Sequence, residues 1–95
     1  MLKTTQDKKT KKIKVTFAVT DDGPVSVVGD FNHWDPFATP LKKRSNGTRS
    51  ATVLVKKGSE VRFRYLADGG EFFDEPEADA IEPNGMGDTH SLIRV

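Results

Sequence analysis

The chain has 95 residues, of which 35% are hydrophobic and 31% charged, with no cysteine and a formal net charge of +1. This length is that of one small domain, and the lack of cysteine excludes a disulfide framework. No apolar run is long enough to span a bilayer, and no hydrophobic segment follows the N-terminal lysines as it would in a signal peptide, so we expect a cytoplasmic protein.

Charge is unevenly distributed along the chain. Residues 1–14 carry six lysines against one aspartate, whereas residues 68–88 carry eight carboxylates and no lysine or arginine. A lysine run can bind nucleic acid or an anionic surface, but it is more often a solvated, flexible tail. Because residues 1–11 are polar and aperiodic, we predict a disordered basic tail there and one domain over residues 12–95. We expect no nucleic-acid partner and no membrane partner.

Alternation of apolar and polar residues predicts the strands. Positions 13, 15, 17 and 19 place Ile, Val, Phe and Val on one face of a half-buried strand. The turn residues 21–24 separate it from a valine-rich strand at 25–28. Further strands are predicted at 51–56, 61–66, 71–74 and 91–95.

Turn and loop signals separate these strands. Asn46-Gly47 predicts a hairpin, and Asp68-Gly69-Gly70 predicts a tight turn between antiparallel strands. Residues 30–40 and the acidic, proline-containing residues 75–90 are expected to be loops, with Leu41 anchoring the end of the first. Without any helical periodicity, the pattern predicts an all-β protein, an antiparallel β-sandwich.

Catalytic and metal chemistry finds little support. His33 and His90 lie in predicted loops, and no strand–turn–helix elbow presents a serine nucleophile. The spacing of these histidines with Asp30 or Asp88 matches no compact metal site, and the acidic residues of 74–79 lack the EF-hand spacing. We therefore expect surface histidines, a solvated acidic loop, no metal or cofactor, and no enzymatic activity.

Binding finds more support, starting at the end of the valine-rich strand. The strand ends at Gly29, and a polar turn-rich segment follows that holds the only tryptophan of the chain. We expect Phe31 to point inwards and Trp34 outwards, as a platform for an apolar ligand face. Phe72 also follows a turn, and Arg64 points away from the core face of its strand.

Carbohydrate recognition combines such aromatic faces with planar groups that bond hydroxyls, and Asn32, Asn84, His90 and Ser91 are further candidates for those bonds. The alternative is that Trp34 and Phe72 only cover the ends of the sandwich, since single exposed aromatic residues are common.

The segment Val27-Val28-Gly29-Asp30-Phe31-Asn32-His33-Trp34 resembles the strand–loop signature of carbohydrate-binding module family 48, the glycogen-binding and isoamylase N-terminal-like domains. The sequence from Phe63 to Gly69 resembles the strand of that family that ends in Asp-Gly. Residues 75–79 and 83–87 resemble its closing loop. The resemblance covers residues 12–95.

This resemblance implies an immunoglobulin-like early-set β-sandwich that binds α-1,4-glucans such as glycogen and starch without catalysis. Trp34 matches the first sugar-stacking tryptophan, and Phe72 falls near the second, although Glu71 takes that place if the gap is drawn differently. The carbohydrate-binding residues that it implies are Trp34, Arg64, Phe72, Met86, Asp88 and His90.

The resemblance also bears on partners. Family members are usually attached to debranching or branching enzymes, or belong to the β subunit of AMP-activated protein kinase. Besides an α-glucan, a glycoside hydrolase, a branching enzyme or a kinase chain is therefore an implied partner. The alternative function is a protein-interaction module that docks such an enzyme or kinase without binding sugar. A Trp34 exposed beside Arg64 and Phe72 favours sugar binding, and a Trp34 packed under the acidic loop favours the alternative.

Overall fold

The computed structural model describes residues 2–20 and 23–95, and within these ranges the chain forms nine β-strands and one short 3₁₀ turn. The 3₁₀ turn covers Asp30–Asn32. Two residues of the turn predicted at 21–24, Asp21 and Asp22, lie outside the described residues. The strands are β1 (Leu2–Gln6), β2 (Ile13–Val19), β3 (Val25–Gly29), β4 (Lys42–Lys43), β5 (Arg49–Val55), β6 (Glu60–Ala67), β7 (Phe72–Phe73), β8 (Ala80–Pro83) and β9 (Thr89–Arg94).

The strands form two antiparallel sheets. Sheet I has the order β1-β2-β5-β4, and sheet II has the order β3-β6-β9-β8 with β7 paired to β6. In sheet II, β3 pairs with β6 so that Val28 lies opposite Arg64 and Ser26 lies opposite Leu66. Successive residues of a strand point to opposite faces, so these four side chains share the outer face of sheet II.

The core lies between the two sheets. Phe17 of sheet I packs against Phe63 of sheet II with ring centroids 4.7 Å apart, and its edge approaches Tyr65 at 6.4 Å. Such tilted and edge-on pairs are favoured arrangements of aromatic rings. Two packed antiparallel sheets around this core make the fold an immunoglobulin-like β-sandwich, as the sequence predicts. No helix long and apolar enough to cross a membrane occurs in residues 2–20 or 23–95.

Several predicted features are confirmed. Val15 and Phe17 of β2 are buried, with Ile13 and Val19 packed against the same core. Leu41 is buried and holds the end of the 30–40 loop, because its N–H donates to the Val25 carbonyl. The Asn46-Gly47 turn joins β4 to β5, and the turn after β6 leads into β7.

The N-terminal segment differs from the expected disordered tail. Leu2–Gln6 forms β1, an edge strand of sheet I that pairs with β2 from Leu2 opposite Phe17 to Gln6 opposite Ile13. Asp7 closes the turn that follows, accepting hydrogen bonds from the N–H and hydroxyl of Thr10. Only Leu2 of β1 packs on the core. The strand is therefore held mainly by backbone hydrogen bonds to β2, and a pattern of hydrophobic residues does not reveal it.

The acidic segment 75–90 also differs from the solvated loop that the sequence predicts. It contains β8, which pairs with β9, and Glu75 at its start is fully buried. The Glu75 carboxylate accepts hydrogen bonds from the Tyr65 hydroxyl at 2.8 Å and the Glu77 N–H at 2.8 Å. The Glu75 N–H donates to Ser91. These bonds provide the partners that a buried carboxylate requires.

Candidate functional site

The loop after β3 is fixed at its base by Gly29 and Asn32. A Cβ on Gly29 would lie 2.6 Å from the Arg62 carbonyl oxygen and 2.6 Å from Cε1 of Phe31, so there is no room for a side chain. The Asn32 Oδ1 accepts from the Gly29 N–H, and its Nδ2 donates to the Val27 carbonyl, each at 3.0 Å. Asn32 therefore fastens the loop to the end of β3.

This base places Phe31 and Trp34 on opposite sides of the loop. The Phe31 ring stacks on Phe17 in the core at 5.6 Å, whereas Trp34 is 42% exposed. Both His33 and Trp34 have φ of 58°, in the left-handed region that non-glycine residues rarely adopt. The Trp34 N–H donates to the Gly29 carbonyl, which helps to hold this conformation. Strained backbone of this kind is concentrated at ligand sites.

A second element, the β8–β9 hairpin turn at 84–88, presents Met86. The Asn84 Oδ1 accepts from the N–H groups of Met86 at 2.8 Å and Asp88 at 3.2 Å. With its oxygen engaged in the turn, Asn84 has its amide nitrogen left to donate to a ligand. The Met86 side chain at the tip of the turn is 85% exposed.

These two elements meet over the outer face of sheet II, where they enclose a depression of about 410 Å³. Its apolar walls come from an indole, a phenyl ring and a thioether, and its polar groups are a guanidinium, an imidazole and an amide. The residues that line it are Val28, Trp34, Arg64, Phe72, Asn84, Met86 and His90.

Arg64 lies under Phe72 in this depression. Its guanidinium carbon is 4.5 Å from the centroid of the Phe72 ring, and its Nη2 donates to Asp88 Oδ2 at 3.0 Å. Its Nε is buried and has no hydrogen-bond partner among the described residues. The N–H of Thr89 and then the charge of Arg64 hold the pKa of Asp88 below its usual value. Arg64 is thus a cation fixed by a ring and a carboxylate.

His90 connects the depression to a row of charges on sheet II. Its ring centroid lies 6.1 Å from that of Trp34, and its Nε2 is 3.0 Å from Glu82 Oε1. Glu82 also accepts from Arg62 Nε at 3.2 Å. The bond with His90 and then the charge of Arg62 lower the pKa of Glu82. The imidazole is held at the wall of the depression by this carboxylate.

The structure brings five of the six expected carbohydrate-binding residues into one depression, and the sixth, Asp88, adjoins it through Arg64. Their role in sugar binding stays a prediction. Phe72, rather than Glu71, lines the depression, because the β7 register turns Phe72 outwards and packs Phe73 on the core.

Two further candidates lie elsewhere. The side chain of Asn32 is engaged in hydrogen bonds within the loop. Ser91 is buried, and its hydroxyl oxygen accepts a hydrogen bond from the Glu75 N–H. Sequence reasoning missed Val28, which is buried and lines the depression. A signal was present, because Val28 follows the inward-facing Val27 and is therefore an apolar residue on the outer face.

Chemically, the arrangement offers stacking surfaces and hydrogen-bond donors. Within residues 2–20 and 23–95 no group of three or more His, Asp or Glu side chains has a geometry that could hold a metal ion. Among the described residues, those that line the depression include no carboxylate.

Comparisons with known proteins point to glucan-related enzymes. No protein-family model matches the chain. The chain is 36% identical over 62 residues to a 1,4-alpha-glucan branching enzyme of Aquifex aeolicus, and 39% identical over 54 residues to that of Deinococcus radiodurans. It is 36% identical over 61 residues to an amylopullulanase of Thermoanaerobacter thermohydrosulfuricus. These matches cover 62%, 56% and 56% of this chain but only 9%, 8% and 4% of the three enzymes, so the chain spans less than a tenth of their length.

Proposed function

We propose that this domain binds α-1,4-glucan weakly and without catalysis, through Trp34, Phe72 and Arg64. The observation that carries the proposal is the convergence of Trp34, Phe72 and Met86 around Arg64 in one depression. The similarity of part of the chain to enzymes named for 1,4-alpha-glucan supports this ligand class.

The chemistry of a glucose ring matches these side chains. The two faces of the ring carry C–H groups, and such apolar surface packs on aromatic faces like those of Trp34 and Phe72. Its hydroxyls are both donors and acceptors of hydrogen bonds. The guanidinium of Arg64 and the amide nitrogen of Asn84 are planar donors for those hydroxyls.

Weak binding follows from the shape of the site. The depression is small beside a glucan chain of several rings, so much of the sugar stays in water, and the long unbranched side chain of Met86 at its edge is 85% exposed. Ordering such a side chain on binding costs free energy that offsets part of the gain from contact.

None of the described residues that line the depression is a carboxylate, which supports a non-catalytic role. Glycoside hydrolysis uses a pair of carboxyl groups on either side of the scissile bond. The adjoining carboxylate, Asp88, is paired with Arg64 and has a lowered pKa, which opposes its acting as a proton donor.

Affinity electrophoresis in gels with and without glycogen tests the proposal. We expect glycogen to retard the wild-type protein and Trp34→Ala to remove most of the retardation, since the variant loses its largest stacking surface. The control is Leu54→Ala, because Leu54 is a similarly exposed apolar residue on sheet I, 46% against 42% for Trp34. Equal migration of wild type and Trp34→Ala in glycogen would count against the proposal.

The alternative function is a module that docks a glucan-metabolising enzyme or a kinase without binding sugar. It expects Trp34 to be packed under the acidic segment, whereas Trp34 lies exposed beside Arg64 and Phe72. The exposure of Trp34 therefore favours glucan binding over the alternative function. A wild-type protein that ignores glycogen but is retained by an immobilised branching enzyme would support the alternative instead.

A further inference from the structure

A second depression, of about 320 Å³, adjoins the first on the outer face of sheet II. Phe37 and Pro36 form one side of it, Leu66 and Ser26 lie at its base, and Asp68 with Gly69 belongs to the turn at its end. Phe37 is 88% exposed, the most of any large apolar side chain among the described residues. The function proposed above does not account for this exposed ring.

The two depressions are continuous in the fold. The base of the first contains the pair Val28 and Arg64, and the base of the second contains the pair Ser26 and Leu66, which is the next outward-facing pair along the same two strands. Two residues along a strand correspond to about 7 Å, on the order of the size of one sugar ring. Phe72, which lines the first depression, pairs with Leu66 of the second.

The same loop supplies the aromatic residue of each depression. Trp34 and Phe37 lie three residues apart, and the loop between them is fixed by local hydrogen bonds. Asp35 Oδ1 accepts from the Phe37 N–H at 2.9 Å, and the Asp35 carbonyl accepts from the Ala38 N–H at 3.3 Å. Pro36 restricts the backbone immediately before Phe37. These constraints hold the segment that presents the Phe37 ring. Because the segment is already ordered, ligand binding has a smaller conformational entropy cost.

We propose that Phe37 and Asp68 form a second sugar subsite, which receives the continuation of the glucan chain bound at Trp34. The proposal rests on the proposed function, because it needs a glucan in the first depression. An exposed aromatic face beside a carboxylate suits a pyranose, since the ring stacks and the carboxylate accepts from its hydroxyls. The domain therefore selects longer stretches of glucan over short oligosaccharides.

Titration calorimetry with two ligands of different length tests this. Methyl α-D-glucoside is a single ring and can occupy one depression, whereas maltoheptaose is long enough to extend across both. We expect the wild type to bind maltoheptaose more tightly than methyl α-D-glucoside. Phe37→Ala should weaken maltoheptaose binding by about tenfold while leaving the binding of methyl α-D-glucoside unchanged. Phe37→Trp should retain the preference for the longer sugar, and Leu54→Ala on sheet I is the control for loss of an exposed apolar side chain.

The outcomes separate this inference from the proposed function. If Trp34→Ala weakens both sugars but Phe37→Ala weakens neither, the glucan site stands and the second subsite is refuted. If Phe37→Ala weakens both sugars equally, Phe37 belongs to the first site and the chain-length selection is refuted. If the wild type binds neither sugar, both proposals fail together.

Discussion

The guanidinium carbon of Arg64 lies 4.5 Å from the centroid of the Phe72 ring, with the ring still 47% exposed. A cation over an aromatic face is attracted by the electron density of the ring. Asp88 holds the same guanidinium from another side. The pair thus forms a fixed corner of the depression, with an apolar surface and hydrogen-bond donors next to each other.

Replacing Phe72 with tryptophan should strengthen glucan binding. The larger ring offers more apolar surface for stacking and a better partner for the Arg64 cation, so we expect a roughly three- to tenfold lower Kd for maltoheptaose. Calorimetric titration measures this. Leu54→Trp is the matched control, since it adds an exposed tryptophan to sheet I. An unchanged Kd for Phe72→Trp would argue that Phe72 does not stack on the sugar.

Loss of the Asn32 side chain should release the Trp34 loop. Asn32→Ala removes the bonds to Gly29, Val27 and Thr39, and we expect the free energy of unfolding to fall by about 1–3 kcal/mol. Because Trp34 is the only tryptophan, its native-state fluorescence should shift to longer wavelength as the loop opens.

The control for this prediction is Asn46→Ala. Asn46 also closes its own turn, accepting bonds from the N–H and hydroxyl of Thr48, but in the hairpin of sheet I. It should lower stability without moving the Trp34 emission. An identical emission maximum in Asn32→Ala and wild type would show that other contacts fix the loop.

The buried bond between Tyr65 and Glu75 should be worth more than an exposed one. Tyr65→Phe leaves the Glu75 carboxylate with one donor fewer in a site closed to solvent, so we expect a loss of about 1–3 kcal/mol in urea unfolding. Burial and then the bond to Glu75 raise the pKa of Tyr65, in keeping with a hydroxyl that stays protonated. Thr52→Val, which removes a hydroxyl bonded to Thr16 on the exposed face of sheet I, should be nearly neutral. Equal effects of the two substitutions would contradict a larger contribution from the buried Tyr65–Glu75 bond.

Stability should decline in acid through the ion pairs of sheet II. Glu82 and Asp88 have pKa values below normal in the folded protein, because each accepts hydrogen bonds and faces an arginine. A carboxyl group with a lowered folded pKa contributes stability that is present above its unfolded pKa, near 4, and is lost as the pH falls through the folded value. The urea concentration at the unfolding midpoint, measured from about pH 7 to about pH 3, should therefore decrease once the pH drops below about 5.

Glu82→Gln isolates one of these contributions. It should flatten part of the acid decline without changing the form of the curve above about pH 5. Glu71→Gln, which neutralises an exposed carboxyl group outside these ion pairs, is the control. A Glu82→Gln curve parallel to the wild-type curve throughout would show that the pair with His90 and Arg62 adds nothing to the pH dependence.

The sequence predicts the parts of this fold that depend on alternation along one strand. β2 and β6 show this alternation because each places every second side chain, an apolar one, in the core. β1 does not, since a polar edge strand is formed by backbone pairing with few buried side chains. The burial of Glu75 is not visible in the sequence either, because it depends on a hydrogen bond to Tyr65, ten residues away on β6.

The candidate site, too, can be predicted only in part from the sequence. Trp34, Arg64 and Phe72 are found through the resemblance to a known family, and the register of sheet II then brings them together. Phe37 is not singled out by the sequence, because its position depends on how the loop after β3 folds over Ser26 and Leu66.

An NMR titration of ¹⁵N-labelled protein with maltoheptaose tests the central claim most directly, with the single indole N–H of Trp34 as the probe. We expect saturable shifts of this signal and of the Arg64 and Phe72 amides at millimolar sugar, with the amides of sheet I unmoved. Unchanged spectra at millimolar maltoheptaose would contradict the account of this domain as a glucan-binding module.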